Sequence, residues 1–231
     1  MATSTVLTNK PINPRGDDNR PVDSYNRASL YSGKALDFDG VNDQIHIDPY
    51  IQSNDTMSIC FYMKQDVVDN SVRMICESNA IGKLMIHTGG IGSGAMRFGL
   101  NNVDFFDVQD VVPDTDMHFY SMVYDSTNTH AYLYRDGVLF ADENIDLGSL
   151  TTTSSLFISG RNNGQYILDG QIAGFKLFST ALTATQVADL YNNPEKVVPT
   201  GVDNTALKLW LPMMEGAGTT AINGAPDALG S

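Results

Sequence analysis

The chain holds few side chains able to do chemistry, and their spacing excludes the commoner catalytic sites. Its 27 acids divide into four glutamates (Glu77, Glu143, Glu195, Glu215) and 27 − 4 = 23 aspartates. Aspartate caps backbone groups in turns and can ligate calcium through its oxygens, whereas glutamate would favour helices. Glycoside hydrolysis needs two carboxyl groups held on neighbouring strand positions. The four glutamates are far apart in sequence, and Glu143–Asp146 reads as a loop. His46, His87, His118 and His130 lack a metal-ligand spacing such as H-E-x-x-H and read as strand residues. The run Gly89–Gly94 lies between two strands, opens no helix and precedes no lysine, so it reads as a hairpin tip and not a phosphate cradle. No G-x-S-x-G elbow occurs. Cys60 and Cys76 fall in predicted strands and can pair only if those strands adjoin; buried free thiols are the expectation. No catalytic residue is predicted, and the chain reads as a non-enzyme.

Charge and hydropathy narrow the partners. A net charge of −13 argues against nucleic acid, whose affinity rests on cationic contacts. No apolar run approaches the roughly 20 residues of a membrane-spanning helix. The first residues, MATSTVLTNKPINPRG, lack an apolar signal-peptide core, so synthesis in a cytoplasm without general secretory export is expected. With 42% hydrophobic residues the chain can bury a substantial core.

The elements that must position any site are strands. Residues 1–33, punctuated by Pro11, Pro14 and Pro21, read as an extended N-terminal arm. From residue 34 strands follow at short spacing, with a dense apolar run at Met57–Met63. Asp136-Gly137 is a two-residue hairpin signal. The stretch Leu168–Tyr191 carries the most local information. Gln171, Ala173, Phe175 and Leu177 alternate with Ile172, Gly174, Lys176 and Phe178, which predicts a central strand with both faces covered. A short helix follows: Thr183 as N-cap, Gln186 completing a capping box, Leu182 and Val187 as staple, and Val187, Leu190 and Tyr191 on one face. Asn192-Asn193-Pro194 ends it. Many strands with one helix predict an all-β protein, an antiparallel β-sandwich jelly roll with one short α-helix after the closing strand. The divisions are an arm at 1–33, the sandwich at 34–193, and a linker and C-terminal strand or tail at 194–231.

Three stretches resemble the laminin G-like and pentraxin-like branch of the concanavalin A-like lectin/glucanase superfamily. Ala35–Asp43 (ALDFDGVND) resembles its opening signature. Phe119–Val138 is similar to its central hairpin, with Met117 where a tryptophan is usual. Gly170–Tyr191 resembles its closing strand and helix. The resemblance covers about residues 34–192 and implies a concanavalin A-like fold that recognises glycans, proteins or matrix, often with calcium. Asp39, Asn42 and Asp43 match the acidic opening loop and offer oxygen ligands, but Ala173-Gly174 replaces the acidic pair of the closing strand. No other cofactor is implied. For a glycan platform the candidates are Arg161, Asn162, Asn163 and Tyr166, in the loop ahead of the closing strand.

The functional expectation is a non-catalytic virion protein, a decoration or fibre component of a phage particle, whose lectin-like sandwich binds surface glycans. A stand-alone, calcium-assisted recognition module is the alternative. Partners would be other assembly subunits, engaged through the arm and the C-terminal strand, and the chain would act as a homo-oligomer or lattice component. In the segment Leu207–Pro212, Leu207, Leu209 and Leu211 alternate with Lys208 and Trp210. Left in water this strand would expose a large apolar patch and a free edge. It should therefore pair with a sandwich edge, in its own subunit or by exchange, with Val197–Asn204 as a linker that gives it reach.

Overall fold

Apolar residues recurring at every second position fold the chain into two seven-stranded sheets packed face to face. The computed structural model describes residues 3–5, 35–52, 56–78, 84–89, 96–100, 103–108, 115–146, 152–213, 215 and 219–225. In chain order the strands are β1 (Thr3–Thr5), β2 (Leu36–Asp39), β3 (Gln44–Gln52), β4 (Met57–Gln65), β5 (Arg73–Ser78), β6 (Leu84–Thr88) and β7 (Met96–Leu100). There follow β8 (Val103–Val108), β9 (His118–Asp125), β10 (His130–Arg135), β11 (Val138–Asn144), β12 (Thr152–Ile158) and β13 (Asp169–Phe178). The helix α1 (Ala184–Asn192) precedes the last strand, β14 (Leu207–Leu211). The first sheet runs β1-β3-β12-β5-β6-β7-β8, and the second runs β11-β10-β9-β4-β13-β14, with β2 also on β13. Every pairing is antiparallel except β1 on β3, where Thr3–Thr5 lie beside Gln44–His46. The rest of the arm lies outside the described residues. Glu143, read as loop, instead belongs to β11, because the β10–β11 ladder continues past a bulge to pair Ala131 with Glu143.

β13 is central, with β4 on one side and both β2 and β14 on the other. Its strict alternation does not hold. The register against β4 slips between Ala173 and Lys176, where Gly174 takes φ +57°. This is a β-bulge, which inserts a residue and re-aims the side chains beyond it. Ile172, Phe175 and Leu177 therefore all enter the core between the sheets, although the alternation placed Ile172 opposite to the other two. Lys176 and Phe178 face outward, where α1 and the segment after it cover the sheet. That outer layer is a second apolar cluster built from Phe178, Leu182, Val187, Leu190, Leu207 and Trp210. Lys176 is buried in this layer, and its Nζ donates to the Lys196 carbonyl at 2.8 Å. Burial pushes its pKa down to about 8.

α1 begins as its sequence dictates. The Thr183 hydroxyl accepts from the Gln186 N–H at 3.3 Å, and Gln186 Oε1 accepts from the Thr183 N–H at 2.9 Å. Such a cap is worth about 1 kcal/mol. Leu182 and Val187 are both buried, as a staple requires. Tyr191 lies at the margin, 38% exposed, with its ring 6.1 Å from that of Phe119. Cys60 and Cys76 are buried free thiols in different sheets; burial pushes Cys60 up to about 11 and Cys76 higher still.

β14 pairs within its own chain. Phe175 faces Leu211 and Phe178 faces Leu207, while Ile172 faces Leu36. β14 and β2 thus lie in line along one edge of β13. The segment read as a linker is packed: Val197 and Val198 are buried, and the Asp189 carboxylate accepts from Lys196 Nζ at 2.7 Å and from the Thr200 N–H at 2.8 Å. The two valines cover the outer cluster, which is why this stretch gives β14 no free reach. Part of the tail is packed too. The Gly224 N–H donates to the Trp210 carbonyl at 2.8 Å, and the Trp210 N–H donates to Asn223 Oδ1 at 3.1 Å. A Cβ on Gly224 would sit 2.5 Å from the indole, so only glycine fits against the ring.

Candidate functional site

The outer face of the first sheet carries polar side chains that strand order, not sequence distance, brings together. The register pairs His46 with Phe157, Phe157 with Glu77, Glu77 with Met85, and Met85 with Gly99. Directly paired residues share a face. The neighbouring register row, Ile45, Ile158, Cys76, Ile86 and Phe98, lies in the core, so the His46–Gly99 row points away from it. A further outward row pairs Met74 with His87 and His87 with Arg97.

Over these rows lies the loop between β12 and β13, fixed to the sheet by its backbone. The Ser159 N–H donates to the Ile75 carbonyl at 2.9 Å, the Gly160 N–H to the Met74 carbonyl at 3.1 Å, and the Met74 N–H to the Tyr166 carbonyl at 2.7 Å. Gln44 Nε2 holds the Arg161 carbonyl at 2.8 Å. Tyr166 has φ 60°, a left-handed conformation that costs a non-glycine residue about 1–3 kcal/mol and is retained where the surroundings enforce it. The Arg161 guanidinium lies 5.0 Å from the centre of the Tyr166 ring, an arginine-on-aromatic contact. Its Nε is 3.2 Å from Glu77 Oε1, and its Nη2 is 3.7 Å from the Met85 sulfur.

Glu77 is only 3% exposed, and burial pushes its carboxyl above the usual range against the opposing pull of Arg161. Although the two charges are close, neither Glu77 Oε1 nor Arg161 Nε makes an aligned hydrogen bond, and His46 Nε2 is likewise buried without a partner. The His46 ring stacks on Phe157 at 4.6 Å and 3°. One face thus combines flat aromatic surfaces with polar atoms whose bonding capacity is unfilled, a combination suited to a ligand with both C–H faces and hydroxyls.

Of the four loop residues singled out from sequence, Arg161 and Tyr166 converge on this site. Asn163 instead builds the turn: its Oδ1 accepts from the Gln165 N–H at 3.1 Å and its Nδ2 donates to Gln165 Oε1 at 2.9 Å. Asn162 is exposed on the same turn. Glu77, His46, Phe157 and Met85 were missed. The signal available was parity, since His46 stands between Ile45 and Ile47 in an otherwise core-forming strand.

The opening acidic loop has the geometry of a turn. Asp39 Oδ1 accepts from the N–H groups of Val41 at 2.8 Å and Asn42 at 3.1 Å, and Asp43 Oδ2 accepts from the Asp39 N–H at 3.3 Å. These backbone bonds hold the Asp39 carboxyl below its usual range. Among the described residues no group of three or more His, Cys, Asp or Glu is arranged to hold a metal ion. The carboxylate oxygens of Asp39 and Asp43 are thus engaged by N–H groups of the turn itself.

Fold and site together define a lectin-like β-sandwich with a polar and aromatic outer face on its first sheet. Residues 39–188 match the Laminin_G_3 family of the Concanavalin A-like lectin/glucanases superfamily, and the chain belongs to that family. Among solved structures it is similar to a heptameric SAP-like pentraxin from Limulus polyphemus, with 12% identity, 85% of this chain and 97% of that one covered, and a TM-score of 0.60. It is also similar to a Bacteroides ovatus protein assigned to carbohydrate binding, with 13% identity, 84% of this chain covered and a TM-score of 0.61. This chain spans 56% of that protein's length. A third likeness is to domain 4 of an extracellular arabinanase from Geobacillus stearothermophilus, in complex with arabinotriose. There the identity is 18%, 68% of this chain and 76% of that one are covered, and the TM-score is 0.51. At these identities the likeness is one of fold. A search of curated proteins found no match.

Proposed function

We propose that the protein is a non-catalytic recognition module that binds a glycan on the outer face of its first sheet. The observation that carries this reading is the row His46–Phe157–Glu77–Met85 under Arg161 and Tyr166, with buried polar atoms that lack hydrogen-bond partners beside flat aromatic surfaces. The arabinotriose-bound relative and the Bacteroides ovatus protein support carbohydrate as the ligand class. Calorimetric titration against a glycan panel tests it. Tyr166→Ala and Arg161→Ala are each expected to weaken binding about tenfold or more, equivalent to about 1.4 kcal/mol. Tyr166→Ala should change the melting temperature little, whereas Arg161→Ala should lower it, because the buried Glu77 loses its counter-charge. Full affinity in both variants would place the ligand elsewhere.

The module is further read as a component of a virus particle, a decoration or fibre-associated subunit. The proline-punctuated segment 1–33 ahead of the sandwich supports this reading, because it is suited to anchoring on neighbouring subunits. Removing residues 1–33 and measuring both incorporation into native particles and glycan affinity tests that role, because Thr5 lies beside His46 and the deletion also borders the proposed site.

A further inference from the structure

We infer that the ligand of this face is a neutral sugar gripped through two adjacent hydroxyls by Glu77 and Arg161, with Glu77 setting the preference against acidic sugars. The inference rests on the glycan-binding reading above and narrows it to a ligand class.

Glu77 Oε1 is an acceptor without a donor, and Arg161 Nε is a donor without an acceptor, 3.2 Å apart. Sugar rings carry hydroxyls on adjacent carbons. Each hydroxyl can both donate and accept. One hydroxyl of the pair would donate to the carboxylate while its neighbour accepts from the guanidinium, making two charge-assisted bonds that fill both vacant positions. A lone hydroxyl would fill one. The Arg161 side chain is 32% exposed and rests on the Tyr166 ring, itself 41% exposed, so a rotamer change opens Glu77 without disturbing the sheet. His46 Nε2 offers a third vacant position in the same row, two strands from Glu77.

The same pair disfavours acidic sugars. Glu77 is 3% exposed and acts in a poorly solvated setting, where a second carboxylate or a sulfate would be repelled strongly. Arg161 already balances the Glu77 charge, and Arg97 and His87 in the next row have partners of their own. The chain as a whole carries −13.

The test uses the full chain, with calorimetry and saturation-transfer NMR against methyl glycosides of glucose, galactose and mannose, their monodeoxy analogues, glucuronate and N-acetylneuraminate. At least one neutral glycoside should bind. Removing either hydroxyl of the gripped pair should weaken it at least tenfold, and the matching acidic sugar should bind at least tenfold more weakly. Glu77→Gln keeps an acceptor oxygen but removes the charge. It should weaken the neutral sugar severalfold and abolish discrimination against the acidic one. Should Glu77→Gln fail to fold, Arg161→Lys reports instead, keeping the charge and losing the second bond, so the penalty for the deoxy analogue should shrink. Acidic sugars binding as tightly as neutral ones, or deoxy analogues binding like the parent, would overturn the inference and leave glycan recognition standing. Failure of every sugar to bind would overturn both.

Discussion

Phe175→Ala is expected to cost about 3–5 kcal/mol of folding stability, and Leu177→Ala about 2–5 kcal/mol. Both side chains are buried between the sheets, Phe175 at 0% exposure and Leu177 at 2%. The Phe175 ring stacks on Phe61 at 5.8 Å, and the residue faces Leu211 across β13 and β14. Truncation removes contacts to both neighbouring strands at once. Single domains are stable by about 5–15 kcal/mol, so either loss is a large share of the total. Denaturant midpoints measure it. Unchanged midpoints in both variants would contradict the central placement of β13.

The legible features of the sequence were local ones. The capping box at Thr183 and Gln186 and the end of α1 at Asn192 depend on residues within one turn, and both stand as read. The antiparallel sandwich was legible because alternation and turn signals recur throughout the chain. The bulge in β13 was not, since a bulge is an exception to the period that identifies a strand; Gly174 was its only visible mark. Val197 and Val198 looked like a linker because they lie between Pro194 and Pro199, and only the fold shows what they cover. The proposed recognition face was half legible. Arg161 and Tyr166 share a loop and could be found together, whereas His46, Glu77, Met85 and Phe157 are spread over more than a hundred residues. They adjoin only because β12 returns between β3 and β5, and no local pattern records that strand order.

The larger effect is expected at the C-terminal strand. β14 serves both apolar layers: Leu209 and Leu211 enter the core between the sheets, while Leu207 and Trp210 join the outer cluster under α1. Trp210 is 9% exposed and its ring packs against Gly224. Trp210→Ala is therefore expected to cost about 3–5 kcal/mol, the range for a buried large aromatic. Deleting residues 205–231 removes all four apolar side chains and leaves the Phe175–Phe178 half of β13 as an unpaired edge. Taken from the sequence alone, such a deletion would leave a soluble but destabilised or assembly-defective core. The structure implies a larger loss, because neither layer closes without β14, so the truncated chain should lose cooperative unfolding and self-associate through its bare edge. In the intact chain, the amides of Leu207–Leu211 that face β13 should be among the slowest to exchange, and emission from the only tryptophan should report the main unfolding transition. Adding a peptide of residues 205–225 to the truncated chain should restore the transition if β14 acts as a separable strand. Fast exchange across Leu207–Leu211, or a truncated chain that melts like the intact one, would remove β14 from the structural core.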